Sequence, residues 1–151
     1  MLIYLNTSAL NRPLDDLSSE RVRVEAEAMV ALLAAIEDGA VQWLGSEYLD
    51  FEVTQDPDRE RVRRIQALLS LIHSRVPASE AVVRRAREIE LGGLRGLDAL
   101  HVASAEVGRA ELMVTTDDRM LRRAARANIR LRVRLVTPVQ AMALVPRRRT
   151  R

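Results

Sequence analysis

The sequence predicts an α/β sandwich in which a short, mostly parallel sheet is flanked by helices. Short apolar runs of strand length alternate with longer segments whose apolar residues recur at helical spacing. With 151 residues and 48% hydrophobic content, nearly all of it aliphatic, the chain can build one packed core. No internal repeat or interdomain linker divides it. One domain is expected over 1–145, followed by a basic tail, 146–151, expected to be disordered.

Leu2 to Leu5 reads as a buried strand, and Asn6-Thr7-Ser8 as a helix start. Asn11-Arg12-Pro13 breaks the chain, and Leu14-Asp15-Asp16 continues a loop. Ser18 and Ser19 cap a long helix to about Asp38, with Val22, Ala26, Met29, Val30 and Leu33 at helical spacing; Gly39 ends it. Val41 to Leu44 is a second strand, and Ser46 caps the helix that carries Glu52. Asp56-Pro57-Asp58 opens another helix with Val62, Ile65, Leu68, Leu69 and Ile72 on one face. Pro77-Ala78-Ser79 starts the next, which closes at Gly92-Gly93. Leu94 to Val107 forms a helix bearing Asp98 and His101, and Leu112 to Thr115 a third strand. Asp117 starts a helix to about Ala127. Leu131 to Val136 alternates Arg with apolar residues, as a strand with one wet face does. Thr137-Pro138 begins a short final helix.

Composition excludes several function classes. Cysteine is absent, so there is neither a disulfide scaffold nor a thiolate zinc site. The longest apolar stretch, Met29 to Ile36, is too short to span a bilayer. Met1 leads into a strand-like run rather than a basic leader, so a cytoplasmic protein is expected. All 24 basic residues are Arg, and they are unevenly placed. Residues 1–118 hold 13 Arg against 21 Asp and Glu, whereas 119–151 hold 11 Arg and no acid. GC-rich coding accounts for the preference for Arg but not for its clustering, which suits a polyanionic partner.

Four positions place an acid or amide where structure alone gives it little reason to be. On the helix after Ser46, Tyr48, Leu49, Glu52 and Val53 share an arc, while Glu47, Asp50 and Thr54 lie opposite. Glu52 is therefore either a snorkelling boundary residue or a site residue. Glu47 fits an ordinary first-turn acid that complements the helix dipole. Asp98 shares a stripe with Leu94, Val102 and Ala105, where it needs a buried Arg or some other cation. His101, one turn on, reads as a hydrogen-bonded boundary histidine. Asp117, Asp118 and Asn6 can each cap the helix that follows. Yet Asn6 and Asp117 also fall at strand carboxyl ends, where parallel α/β sheets bind ligands. Together with Glu52 and Asp98 they would make an oxygen-rich cluster suited to Mg²⁺ or Mn²⁺.

Ile3-Tyr4-Leu5-Asn6-Thr7-Ser8-Ala9-Leu10, Ser46 through Glu52, Leu97-Asp98-Ala99-Leu100-His101-Val102-Ala103-Ser104-Ala105 and Val114-Thr115-Thr116-Asp117-Asp118 carry a family resemblance. In order and rough spacing they resemble the PIN-domain ribonucleases, above all the VapC-type toxins of bacterial toxin–antitoxin pairs. The resemblance implies a PIN-like three-layer sandwich and metal-dependent endoribonuclease activity. It also implies a catalytic and metal quartet of Asn6, Glu52, Asp98 and Asp117 holding Mg²⁺ or Mn²⁺. Ser8 and Thr115 would be supporting hydroxyls, with Asp118 as an outer ligand. The family has an Asp where this chain has Asn6; an amide oxygen can still coordinate, but it holds a cation less strongly and cannot act as a base. Hydrolysis would leave a 5′-phosphate and a 3′-hydroxyl on the RNA. Arg12 and the arginines from Arg119 onward are candidates for gripping RNA phosphates. A homodimer and a cognate antitoxin that covers the acidic pocket are further implied.

Other readings compete with this one. Asn6 motivates a catalytically inactive PIN-fold module that binds RNA or protein. Aspartyl-phosphate enzymes and Walker-loop nucleotide binders are disfavoured, because the chain has no Lys and Asn6 stands where a nucleophilic Asp would be.

Overall fold

The computed structural model describes residues 1–146; residues 147–151, most of the expected basic tail, lie outside the described residues. Five strands form one sheet: β1 (Leu2–Leu5), β2 (Gln42–Ser46), β3 (Ser74–Val76), β4 (Leu112–Val114) and β5 (Arg134–Val136). Their order is β3-β2-β1-β4-β5, and every neighbouring pair is parallel. Eight α-helices connect and cover them: α1 (Thr7–Asn11), α2 (Glu20–Glu37), α3 (Glu47–Thr54), α4 (Arg59–Leu68), α5 (Glu80–Leu91), α6 (Gly96–Val107), α7 (Asp118–Arg126) and α8 (Pro138–Leu144). Among the described residues no helix is long and apolar enough to cross a membrane.

Ile3, Tyr4, Leu5, Met113 and Val114 are all fully buried. Consecutive strand residues point to opposite faces, so burial of a whole run requires cover on both sides of the sheet. The α/β layering expected from the sequence is the observed one. α2 packs on α8, and α5 on α6. Gly108 lets the end of α6 lie directly on the sheet: a Cβ there would stand 2.7 Å from Val76 Cγ2 and closer still to Leu44.

Strand order positions the site. The chain builds β1, β2 and β3 in one direction, then returns to the other side of β1 for β4 and β5. The connections leaving β1 and β4 therefore diverge and open a crevice at their carboxyl ends. Leu5 pairs with Val114, so Asn6 and Thr115 emerge side by side at that crevice.

Local details depart from the sequence reading for identifiable reasons. β3 was not expected, since Ser74-Arg75-Val76 is a three-residue edge strand with two exposed positions and no apolar run to announce it. The strand expected over Leu131 to Val136 shrinks to Arg134–Val136, and Arg132 gives its N–H to Glu106 instead of a ladder. α6 starts at Gly96 rather than Leu94, because Gly93 and Gly96 both take left-handed φ values, +120° and +56°. The loop expected after Asn11 contains a 3₁₀ turn, Arg12–Leu14.

Candidate functional site

Asn6 ends β1 without capping α1, for its side chain makes no bond to the helix N-terminus. The residue is buried, and its Nδ2 donates to Thr115 Oγ1 at 3.3 Å and approaches Met120 Sδ at 3.2 Å. Thr115 Oγ1 also accepts from the Asp117 N–H at 3.1 Å and meets Ser8 Oγ at 3.1 Å. Ser8 Oγ in turn accepts from the Thr116 N–H at 3.2 Å. The two hydroxyls thus tie Asn6 to the turn that presents Asp117. That turn is fixed from its other side too, because Asp117 Oδ1 caps α7 by accepting from the N–H groups of Arg119 and Met120. Asp117 is both a cap and a crevice residue.

Asp98 sits in the first turn of α6, half-buried, beside the fully buried Leu94 and Val102. Burial raises its carboxyl above the ordinary value. The charge of Asp117 pushes the same way, as does Glu52 more weakly, against His101 and Arg123. The buried Arg that would explain Asp98 structurally is not there: among the described residues neither Asp98 nor Asp117 forms an ion pair. Two carboxylates that repel each other without a compensating cation favour any divalent ion that can reach both.

Glu52 is held differently. Its Oε1 accepts a hydrogen bond from Thr7 Oγ1, and its Oε2 lies 3.2 Å from His101 Nε2. Burial pulls this carboxyl upward, but the hydrogen bonds from His101 and Thr7 outweigh burial and leave it below the ordinary value. His101 is fully buried, not the boundary residue expected, and its Nδ1 lies 2.6 Å from Tyr4 Oη. Tyr4 Oη in turn lies 2.7 Å from Ser46 Oγ, which accepts from the Leu49 N–H at 3.0 Å.

The direction of this buried chain follows from its Glu52 end. An ionised Glu52 can only accept, so His101 donates to it from Nε2. With the imidazole neutral, Nδ1 can only accept, so Tyr4 gives its proton to His101 and Ser46 gives its own to Tyr4. Burial accordingly drives the Tyr4 hydroxyl far above its ordinary range, partly offset by Ser46. Sequence reasoning missed this relay, although a tyrosine inside a buried apolar run is a signal that its hydroxyl needs a partner. Tyr4→Phe should cost about 1–3 kcal/mol, because it strands Ser46 and His101 without partners. Urea denaturation followed by circular dichroism would check this; an unchanged midpoint would refute the relay.

The expected quartet is brought to one crevice only in part. Among the described residues no three His, Cys, Asp or Glu side chains stand close enough to cage a metal ion. What exists is an open arrangement: Asp98 near enough to feel the charge of Asp117, Asn6 joined to Asp117 through Thr115, and Glu52 braced by His101. Its donors are hard oxygens, and Mg²⁺ usually takes only one or two carboxylates and keeps several waters. The residues present therefore fit such an ion.

Two expected site residues are engaged elsewhere. Both oxygens of Asp118 are held by Arg21, at 2.6 and 2.7 Å, which keeps this exposed carboxyl below its ordinary value and away from an outer-ligand role. Arg12, expected to grip phosphate, is largely buried and ion-paired with Asp15 at 3.1 Å and Glu25 at 3.3 Å. Arg12 and Arg21 together compensate the buried carboxylate of Glu25, so Arg12 belongs to the scaffold.

A family model described as PIN domain matches residues 3–127. Among solved structures, the chain is similar to one in the crystal structure of VapBC2 from Rickettsia felis bound to a DNA fragment from their promoter. The TM-score is 0.57 at 14% identity, over 91% of this chain and 98% of that one, which is a likeness of fold. No curated protein matches the sequence.

Proposed function

This chain belongs to the PIN domain family, and on that premise we propose that it is a metal-dependent endoribonuclease, the toxin of a toxin–antitoxin pair acting in the cytoplasm. The observation that carries the proposal is that Asp98, in the first turn of α6, and Asp117, just beyond β4, form no ion pair among the described residues. Asn6, Asp98 and Asp117 would hold a Mg²⁺ or Mn²⁺ ion, with Glu52 on the facing wall. Such an ion, when bound, polarises a scissile phosphate and lowers the pKa of an attacking water.

The chain's own residues supply the rest. Thr115 and Ser8 fix Asn6 and Asp117 relative to each other. His101 and Thr7 hold Glu52 ionised and in one orientation. Arg119, Arg122, Arg123 and Arg126 on α7 are exposed and form no ion pair among the described residues, so they are free to grip RNA phosphates beside Asp117. Water adds to phosphorus and the 3′ oxygen leaves, giving a 5′-phosphate and a 3′-hydroxyl. Likeness to a chain of the VapBC2 complex supports an antitoxin as protein partner. A homodimer is part of the same reading.

Asn6 favours a second reading, a silent PIN module that binds without cutting, because its amide nitrogen already faces Thr115 and Met120. The deciding experiment compares Mn²⁺-dependent cleavage of a panel of structured RNAs by this chain and by Asn6→Asp. The Asp variant should bind Mn²⁺ about 10–100-fold more tightly and cleave faster. It should also melt at a lower temperature without metal and recover with it. If both proteins are inert, the binding module is the correct reading.

A further inference from the structure

We propose that the groove between the first turn of α3 and the N-terminal half of α5 is a subsite for the RNA strand as it leaves the carboxylates, with a base stacked on Tyr48 and phosphates held by Arg84 and Arg87. This rests on the ribonuclease reading and extends it to a second, separate contact surface.

Location is the first support. Ser46 pairs with Val76, so β2 and β3 end side by side, and α3 and α5 begin just beyond them. The groove therefore opens on the same sheet edge as Asn6 and Asp117, displaced toward β3. Tyr48 and Glu52 are four residues apart on α3 and share one face, about 6 Å along the helix axis. That distance suits one step of an extended nucleotide strand.

Shape and chemistry agree with that location. The groove holds about 570 Å³ and is lined by Tyr48, Ala78, Ser79, Val83, Arg84 and Arg87, with Glu80 as its one acid. Such a volume accommodates a nucleotide. Tyr48 is half-buried: it packs against the core and also lines the groove, and its hydroxyl makes no hydrogen bond within the described residues.

The three arginines of α5 differ in fate. Arg85 is bound to Glu106 and Glu88. Arg84 and Arg87 are exposed, one turn apart, and form no ion pair among the described residues. An abundance of Arg from coding bias does not predict two unpaired guanidiniums converging on a cavity lined by an aromatic ring. A backbone-gripping pair with one stacking platform is how single strands are held without sequence readout. With the exposed arginines of α7 on the β4 side, the strand would be gripped on both flanks of the carboxylates.

The test is fluorescence anisotropy of a labelled, mixed-sequence single-stranded RNA in EDTA, so that cleavage cannot contribute. Arg84→Ala/Arg87→Ala should weaken binding about tenfold and reduce the slope of log affinity against log salt by about 1.4. Tyr48→Ala should weaken it about fivefold or more with little change in slope. Arg63→Ala/Arg64→Ala, on the exposed face of α4, should bind as the wild type does. Equal binding by wild type and groove variants overturns the subsite. So does a groove variant that binds RNA normally but changes its sedimentation, which would make the groove an interface between copies. A parallel Mn²⁺ cleavage assay separates the two readings. Cleavage with unaltered groove-variant binding removes the subsite alone, while absence of both binding and cleavage in the wild type removes the ribonuclease reading beneath it.

Discussion

Asp98→Asn is expected to lower Mn²⁺-dependent RNA cleavage by about 10²–10³-fold, the loss typical when one preorganised charge is removed from a reacting centre. The same change should stabilise the metal-free protein. Asp98 is held above its ordinary value by burial and by the charge of Asp117, so its ionised form is disfavoured in the fold. Its contribution favours the native state below the ordinary carboxylate range and is lost as pH rises through the raised value. The neutral amide should therefore match wild type in acid and exceed it near neutrality, by a few tenths to about 1 kcal/mol once solvent screening is allowed for. Melting temperatures in EDTA across a pH series would show this divergence, and added Mn²⁺ should reverse it by stabilising wild type alone. An Asn variant that cleaves as well as its parent, or melts lower at neutral pH, would remove Asp98 from the site.

Glu106→Ala carries the largest expected effect on stability, about 3–5 kcal/mol. The Glu106 side chain is 1% exposed and accepts from Arg85 Nε and Nη2, both at 2.9 Å, and from the Arg132 N–H at 2.8 Å. Truncation leaves Arg85 Nε and the Arg132 N–H without an acceptor, and the largely buried guanidinium keeps only the exposed Glu88 and the Arg130 carbonyl. It also unties the segment before β5 from the helix that carries Asp98 and His101. Glu88→Ala is the control: Glu88 is Arg85's exposed partner, and its loss should cost no more than about 0.5 kcal/mol. Denaturant midpoints would separate the two variants, and equal shifts would refute the account of Glu106.

The sheet's centre was legible because β1 and β4 are covered on both faces and so read as unbroken apolar runs. β3 was not, since an edge strand of three residues with a polar start carries no such run. Within the site, helical periodicity placed Glu52 and Asp98 near the core, and strand ends placed Asn6 and Asp117 at one crevice. What periodicity cannot report is which partner a side chain chooses across the fold. Asp118 and Arg12 looked available and are engaged with Arg21, Asp15 and Glu25. Asn6 and Asp117 shared the same expected capping role, yet only Asp117 caps. His101 looked marginal because its two partners, Tyr4 and Glu52, are 97 and 49 residues away.

The buried relay that ends on Glu52 also begins on the same helix, at Leu49, after passing through Ser46, β1 and α6. An eight-residue helix is too short to persist unaided, and its ends would ordinarily fray. Here the circuit staples both turns to the most protected strand of the sheet. Opening α3 means breaking a closed ring of hydrogen bonds, so its hydrogen-bonded amide protons, from Leu49 onward, should exchange far more slowly than those of an isolated helix of this length.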